Sequence, residues 1–178
     1  MVTVRLNLPT ILTLSRIVFI PFFIVAAPDH PVLGAVIFSI ASLTDFLDGY
    51  IARRTGQVTK FGIILDPIAD KFLVITALVL LVEMESLSSF VAIIIIIREF
   101  LVTGLRVVAL TRDIVIPAET GGKLKTTTQI FAILALLLKN SFFGINLYLT
   151  GTILIWLSLL LAVFSGIKYT FSFWKEMT

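Results

Sequence analysis

Six long runs of apolar residues take up most of this 178-residue chain, and they limit its fold more than any other feature. A helix that crosses a lipid bilayer needs about 20 mostly apolar residues. The runs cover roughly residues 11–27, 32–52, 67–83, 87–110, 122–139 and 147–171. We therefore predict an all-α integral membrane protein with six transmembrane helices in one membrane-embedded domain over residues 1–178. Residues 1–10 form a short interfacial segment in this prediction.

The composition excludes several kinds of function. Charged residues make up 14% of the chain, well below the roughly 25% of soluble domains. With no cysteine and one histidine, the chain cannot form disulfides, thiolate metal sites or multi-histidine zinc sites. The net charge of +3 fits the charge bias of a membrane protein better than nucleic-acid binding.

Lysine and arginine are spread unevenly among the connections between the runs. Connections 28–31 and 83–88 have none, and Lys139 is the one basic residue on their side. The two termini and the other two connections contain Arg5, Arg53, Arg54, Lys60, Arg112, Lys123, Lys125, Lys168 and Lys175. Basic residues stay cytoplasmic, so both termini and these two connections are expected to face the cytoplasm.

Four of the six aspartates lie at the facing ends of the second and third runs. Asp45 and Asp48 are three residues apart, and Asp66 and Asp70 are four apart, so each pair shares one helix face. One ionised aspartate within a membrane helix costs about 2.5–3.5 kcal/mol, so four need compensation. Carboxylate oxygens suit Mg²⁺ or Mn²⁺. Two such ions are a recurring device of phosphoryl transfer, and the pattern predicts a two-metal site.

An alternative interpretation of these aspartates needs no metal. They can cap helices and pair with Arg53, Arg54 and Lys71. Asp66 before Pro67 is typical of an N-cap with proline at the first helical position. Capping accounts for Asp66 but not for the three other carboxylates on convergent faces.

The aspartate segment resembles the signature of the CDP-alcohol phosphatidyltransferase family. Every position and spacing of that signature is present in Asp45-x2-Asp48-Gly49-x2-Ala52-Arg53-x8-Gly62-x3-Asp66-x3-Asp70. The start of the first run also resembles the family, with Thr10 in place of its asparagine, in Pro9-Thr10-Ile11-Leu12-Thr13. The six-run layout matches the CDP-alcohol phosphotransferase fold, so the resemblance covers nearly the whole chain.

This resemblance implies a metal-dependent transferase whose donor is CDP-diacylglycerol. It implies two Mg²⁺ or Mn²⁺ ions that are held by Asp45, Asp48, Asp66 and Asp70. Asp70 is also implied to be the catalytic general base on the acceptor hydroxyl. The donor contacts implied are Thr13, Gly49, Arg53, Thr59 and Gly62. The family further implies a homodimer in the inner membrane of a bacterium.

Two stretches in the second half, residues 98–106 and 122–126, resemble family members whose acceptor is sn-glycerol 3-phosphate. A phosphate-bearing acceptor needs nearby cations, and an arginine inside a membrane span is a functional candidate. The candidates for binding the acceptor phosphate are Arg98, Arg106, Lys123 and Lys125. Structural interpretations stay open, since Arg98 can pair with a carboxylate such as Glu99, and the lysines can anchor a helix at the interface.

Alternatives to glycerol phosphate transfer also stay open. Other family members make cardiolipin or phosphatidylinositol phosphate, and the same aspartate motif serves them. A divalent-cation transporter is a different class, with the aspartates as a transport site. Transporters of that kind show broken midplane helices and repeated halves, and the sequence shows neither.

Overall fold

The computed structural model describes the backbone of residues 8–55, 60–111, 120–139, 141–142 and 144–177. Its described side chains are those of residues 17–44, 71–105, 107–109, 124–139 and 144–174. Six helices and one short hairpin make up this part of the chain. They are α1 (Leu8–Asp29), α2 (Pro31–Thr55), α3 (Lys60–Glu83), α4 (Ser89–Thr111), α5 (Thr120–Leu138), β1 (Ser141–Phe142), β2 (Ile145–Asn146) and α6 (Leu147–Met177).

The six helices coincide with the six apolar runs, which confirms the all-α prediction. The start of α3 is different from the prediction. The helix begins at Lys60, so Asp66 and Pro67 lie inside it rather than at its first turn. The interpretation of Asp66 as an N-cap is therefore wrong. Residues 1–7 of the expected interfacial segment lie outside the described residues, and residues 8–10 belong to α1.

The chain divides into two compact units, Met1–Leu80 and Leu81–Thr178. In the first unit, α1 and α2 form a helical hairpin joined by His30, whose N–H donates to the Ala26 carbonyl at 2.8 Å. The buried rings of Phe23 and Phe38 lie 5.8 Å apart between the two helices. These aromatic contacts and a buried alanine-rich seam form the core of the hairpin.

In the second unit, α6 packs against both α4 and α5. Gly151 of α6 lies so close to α5 that a Cβ there would come within 2.8 Å of Leu136. The hairpin of β1 and β2 turns at Gly144, whose φ is +78°. Asn146 then caps α6, because its Oδ1 accepts a hydrogen bond from the Leu149 N–H at 3.0 Å.

The connection between α3 and α4 is tied to the end of α5. Glu85 adopts a left-handed φ of 54°, and the Ser86 N–H donates back to the Leu81 carbonyl at 2.8 Å. These features make a Schellman cap of α3. Lys139, directly after α5, lies in the same left-handed region, and its Nζ donates to the Met84 carbonyl at 2.6 Å.

The described surface is apolar, as expected of a protein embedded in lipid. Within the part of the chain that the structure describes, residues 147–174 form one helix long and apolar enough to cross a membrane, with a mean hydropathy of 2.2. Shorter apolar stretches cover Ile17–Asp29, Pro31–Thr44 and Leu124–Leu138. Large apolar side chains on these helices are exposed, among them Val25 and Phe164. Exposed apolar area on this scale marks a contact surface, and here lipid is its natural environment.

Candidate active site

The four predicted metal-binding aspartates lie on two helices that follow each other in the chain. Asp45 and Asp48 lie in the second half of α2, and Asp66 and Asp70 in the first half of α3. Because both segments are helical, each pair shares one helix face at the expected spacing. Their side chains lie outside the described residues, so the convergence of the carboxylates stays a prediction.

The predicted donor residues lie in the same part of the chain. Thr13 belongs to α1, Gly49 and Arg53 to α2, and Gly62 to α3. The structure describes the backbone at these positions and not the side chains. Thr59 lies in the connection between α2 and α3, outside the described residues.

A buried ion cluster lies among α4, α5 and α6, and it contains two of the four predicted acceptor residues. Glu99 of α4 accepts from Arg98 at 3.1 Å and from Nζ of Lys125 on α5 through the same oxygen, Oε1. Glu99 is 2% exposed and Lys125 is 3% exposed. One buried carboxylate therefore holds two cations in place.

Arg98 also links α4 to α6. Its Nε donates to the Ala162 carbonyl at 2.8 Å, and a terminal nitrogen donates to Oγ of Ser165 at 2.6 Å. Gly166 leaves room for the arginine, because a Cβ there would lie 3.4 Å from Arg98 Cγ and Nε. The guanidinium is thus fixed on three sides, by Glu99 and by two groups of α6.

These contacts test the structural interpretations of Arg98 and Lys125. The expected pairing of Arg98 with Glu99 is confirmed. The interpretation of Lys125 as an interfacial anchor is wrong, because its side chain is buried and paired. Arg106 lies in α4 and Lys123 in α5, with side chains outside the described residues.

Gln129 adds a polar group one turn further along α5 from Lys125. The residue is 3% exposed, and its Nε2 has no hydrogen-bond partner among the residues that the structure describes. Buried polar groups nearly always find a partner. Gln129 therefore stands out as a donor held without an acceptor.

An apolar cavity of about 670 Å³ opens between α4 and α6 beside the ion cluster. Its lining includes Ile94, Ile97, Arg98, Ile167, Phe171 and Trp174. Arg98 is the one charged side chain among the described lining residues. The arginine thus lies between the ion cluster and an apolar surface suited to hydrocarbon.

The sequence pattern missed three features of this cluster. It marks Glu99 as a possible partner of Arg98, but not as the shared partner of Lys125. It does not single out Ser165 as a hydrogen-bond partner of Arg98, or Gln129 as a buried amide. A glutamine inside the apolar run 122–139 is a detectable signal, because polar side chains are costly inside membrane helices.

Comparison with known proteins gives one consistent result. A sequence model described as CDP-alcohol phosphatidyltransferase matches residues 6–164. A Bacillus subtilis protein named CDP-diacylglycerol–glycerol-3-phosphate 3-phosphatidyltransferase is 39% identical in an alignment of 187 positions that covers 96% of this chain and 97% of the relative. Proteins of the same name from Rickettsia bellii and Haemophilus influenzae are 40% and 38% identical, covering 92% and 93% of this chain and 93% and 92% of the relatives.

Proposed function

Because this chain belongs to the CDP-alcohol phosphatidyltransferase family, we propose that it transfers the phosphatidyl group of CDP-diacylglycerol to sn-glycerol 3-phosphate. The products are phosphatidylglycerol phosphate and CMP. The observation that carries the proposal is the near full-length similarity to relatives named for this reaction. Family membership also favours a transferase over the divalent-cation transporter.

The helix positions support a shared metal site. At about 1.5 Å per residue, Asp48 and Asp66 lie about 9–11 Å from the helix ends that the connection joins. Asp45 and Asp70 lie about 15 Å from those ends by the same measure. Side-by-side packing of α2 and α3 would bring the four aspartates to two matching depths.

The donor set fits two divalent ions of the Mg²⁺ or Mn²⁺ type. Asp45, Asp48, Asp66 and Asp70 offer hard oxygen ligands, and two divalent ions held there would neutralise carboxylates that cannot otherwise ionise together. Bound there, the ions supply charge stabilisation to the diphosphate of the donor. Asp66 lies inside α3 and does not cap it, so its carboxylate is available to this site.

The protein's own groups account for the remaining steps. Asp70 accepts the proton of the 1-hydroxyl of glycerol 3-phosphate, and the hydroxyl oxygen attacks the phosphorus that bears diacylglycerol. The diphosphate bond breaks, and CMP leaves with the bonding electron pair. Arg53 stabilises charge on CMP, while Thr13, Gly49, Thr59 and Gly62 position the donor. One direct displacement is sufficient, so no isotope exchange between CMP and donor is expected without acceptor.

The acceptor phosphate is assigned to Arg98, Arg106, Lys123 and Lys125. Support comes from the ion cluster, in which Glu99 fixes both Arg98 and Lys125. Cations fixed in this way lose little side-chain entropy when a phosphate arrives. Arg106→Ala is expected to raise the acceptor KM more than the donor KM, and a rise in the donor KM alone would move the acceptor site elsewhere.

The proposal includes the setting of the enzyme. The chain acts as a single catalytic domain of six membrane spans in the cytoplasmic membrane, with both termini and the active site on the cytoplasmic side. The distribution of basic residues supports this orientation. A homodimer follows from family resemblance.

An acceptor panel in detergent tests the proposed reaction. Purified protein receives CDP-diacylglycerol, Mg²⁺ and one acceptor at a time: glycerol 3-phosphate, inositol phosphate or phosphatidylglycerol. CMP release is expected with glycerol 3-phosphate and with neither of the other two acceptors. EDTA is expected to stop this release, and added Mg²⁺ or Mn²⁺ to restore it. CMP release with phosphatidylglycerol or inositol phosphate instead would reassign the enzyme to cardiolipin or phosphatidylinositol phosphate synthesis.

A further inference from the structure

The side-chain amide of Gln129 is buried at a position where its Nε2 makes no stabilising hydrogen bond to the described part of the protein. The residue is 3% exposed, and Nε2 has no acceptor within the described part of the chain. A buried donor without a partner destabilises the folded state. An arrangement of this kind is explained when a ligand supplies the missing acceptor.

The position of Gln129 indicates which ligand. Gln129 lies four residues after Lys125 on α5, so the two side chains project from the same helix face one turn apart. Lys125 is fixed by Glu99 and is one of the residues assigned to the acceptor phosphate. Gln129 therefore lies one turn deeper in the helix than that phosphate.

We propose that Gln129 is a specificity-determining residue whose Nε2 donates a hydrogen bond to the 2-hydroxyl oxygen of glycerol 3-phosphate. This inference rests on the proposed function. The acceptor phosphate is matched by cations and the 1-hydroxyl is the reacting group, which leaves the 2-hydroxyl as the polar group without a partner. A neutral amide suits a neutral hydroxyl, since it can donate and accept together.

The test compares glycerol 3-phosphate with propane-1,3-diol monophosphate as acceptors. The analogue keeps the reacting hydroxyl and the phosphate and lacks only the 2-hydroxyl. The wild-type enzyme is expected to prefer glycerol 3-phosphate by at least about tenfold in kcat/KM, because sites that hydrogen-bond a hydroxyl reject analogues without it. Gln129→Met, close in size but without a donor, is expected to bring this preference to near unity by lowering kcat/KM for glycerol 3-phosphate alone.

A stability measurement separates ligand recognition from a structural role. Gln129→Met removes an unpartnered donor, so its Tm in detergent is expected to equal or exceed that of the wild type. Thr128→Val is the matched control, because the Thr128 hydroxyl bonds to the Leu124 carbonyl of its own helix at 2.8 Å. This control is expected to keep the acceptor preference of the wild type.

The outcomes distinguish the inference from the function on which it rests. A wild-type enzyme inactive on both acceptors overturns the proposed function. An active wild type that uses both acceptors equally well overturns the role of Gln129 without any variant. The same conclusion follows if Gln129→Met, or Gln129→Leu where the methionine variant fails to fold, keeps the wild-type preference.

Discussion

Glu99 is the residue on which the described ion cluster depends. Its single oxygen, Oε1, contacts both Arg98 and Lys125, and the carboxylate is almost fully buried. Removing one partner of a buried ion pair leaves charge in a medium that solvates it poorly. Glu99 therefore stabilises the second unit and also sets the positions of Arg98 and Lys125, which are proposed to bind the acceptor phosphate.

Glu99→Gln is expected to lower the free energy of unfolding by roughly 3–5 kcal/mol, because the buried cations lose the charge that offsets them. Unfolding in mixed detergent micelles measures the change. Glu83→Gln serves as the control, since Glu83 is exposed at the end of α3 and is expected to change stability by less than about 0.5 kcal/mol. Equal stability of the two variants would contradict the structural role of the cluster.

Asp70→Asn tests the proposed general base. Losing such a group typically reduces the rate by about 10²–10⁴, so CMP release is expected to fall by at least about a hundredfold. Some donor binding, measured by isothermal titration with CDP-diacylglycerol in micelles, is expected to remain. Asp29→Asn is the control, because Asp29 is exposed at the end of α1. Wild-type turnover by Asp70→Asn would exclude Asp70 as the base.

At this scale, the sequence makes the aspartates recognisable as a candidate site but does not reveal the ion cluster. Asp45, Asp48, Asp66 and Asp70 are recognisable because their spacing is local and fits the helix period. The contact of Glu99 with Lys125 joins residues on different helices. Pairings of that kind depend on which helices pack together, and one sequence does not contain that information.

Helices are the elements that hydropathy predicts best, and their ends are what it misses. α6 begins at Leu147, as predicted, but continues to Met177 rather than residue 171. α3 begins at Lys60 instead of residue 67. In both cases the apolar run stops at polar residues, whereas backbone hydrogen bonding continues through them. The short hairpin before α6 has only two residues per strand, too few for a periodic signal.

Substitution of glycine by alanine is expected to have opposite effects on stability at Gly151 and at Gly104. Gly151→Ala is expected to destabilise the protein by about 1–3 kcal/mol, because the new Cβ would lie 2.8 Å from Leu136 Cγ and 3.0 Å from the Leu136 backbone nitrogen. Gly104→Ala is expected to stabilise α4 by up to about 1 kcal/mol, since a Cβ there meets no described atom within 4 Å. Thermal unfolding of both variants measures the contrast, and a stabilising Gly151→Ala would contradict the close packing of α5 and α6.

For the whole molecule, the central question is how the helices lie in the membrane. The apolar exposed surface and the long helix α6 fit a protein in lipid. The proposed six spans rest on the apolar runs, and the proposed orientation with cytoplasmic termini rests on loop charge. Hydropathy gives the order of the segments along the chain, and orientation needs an experiment that distinguishes the two sides.

Single-cysteine labelling tests the orientation cleanly, because the chain has no cysteine of its own. His30→Cys and Ser88→Cys, both at exposed positions, are expected to react with a membrane-impermeant maleimide in spheroplasts, where the periplasmic side is accessible. Gln57→Cys, in the connection after α2, is expected to react only after lysis. The reverse pattern would invert the topology and place the aspartates on the wrong side for cytoplasmic substrates.

The account depends most on the convergence of the aspartates of α2 and α3. Crystals of the wild-type protein soaked in Mn²⁺ give an anomalous difference map that reports this directly. We predict two peaks about 3.5–4 Å apart, bonded to carboxylate oxygens from both helices, and their loss in Asp66→Asn crystals. A map without peaks between the two helices, or with manganese bound elsewhere, would contradict the proposed catalytic centre.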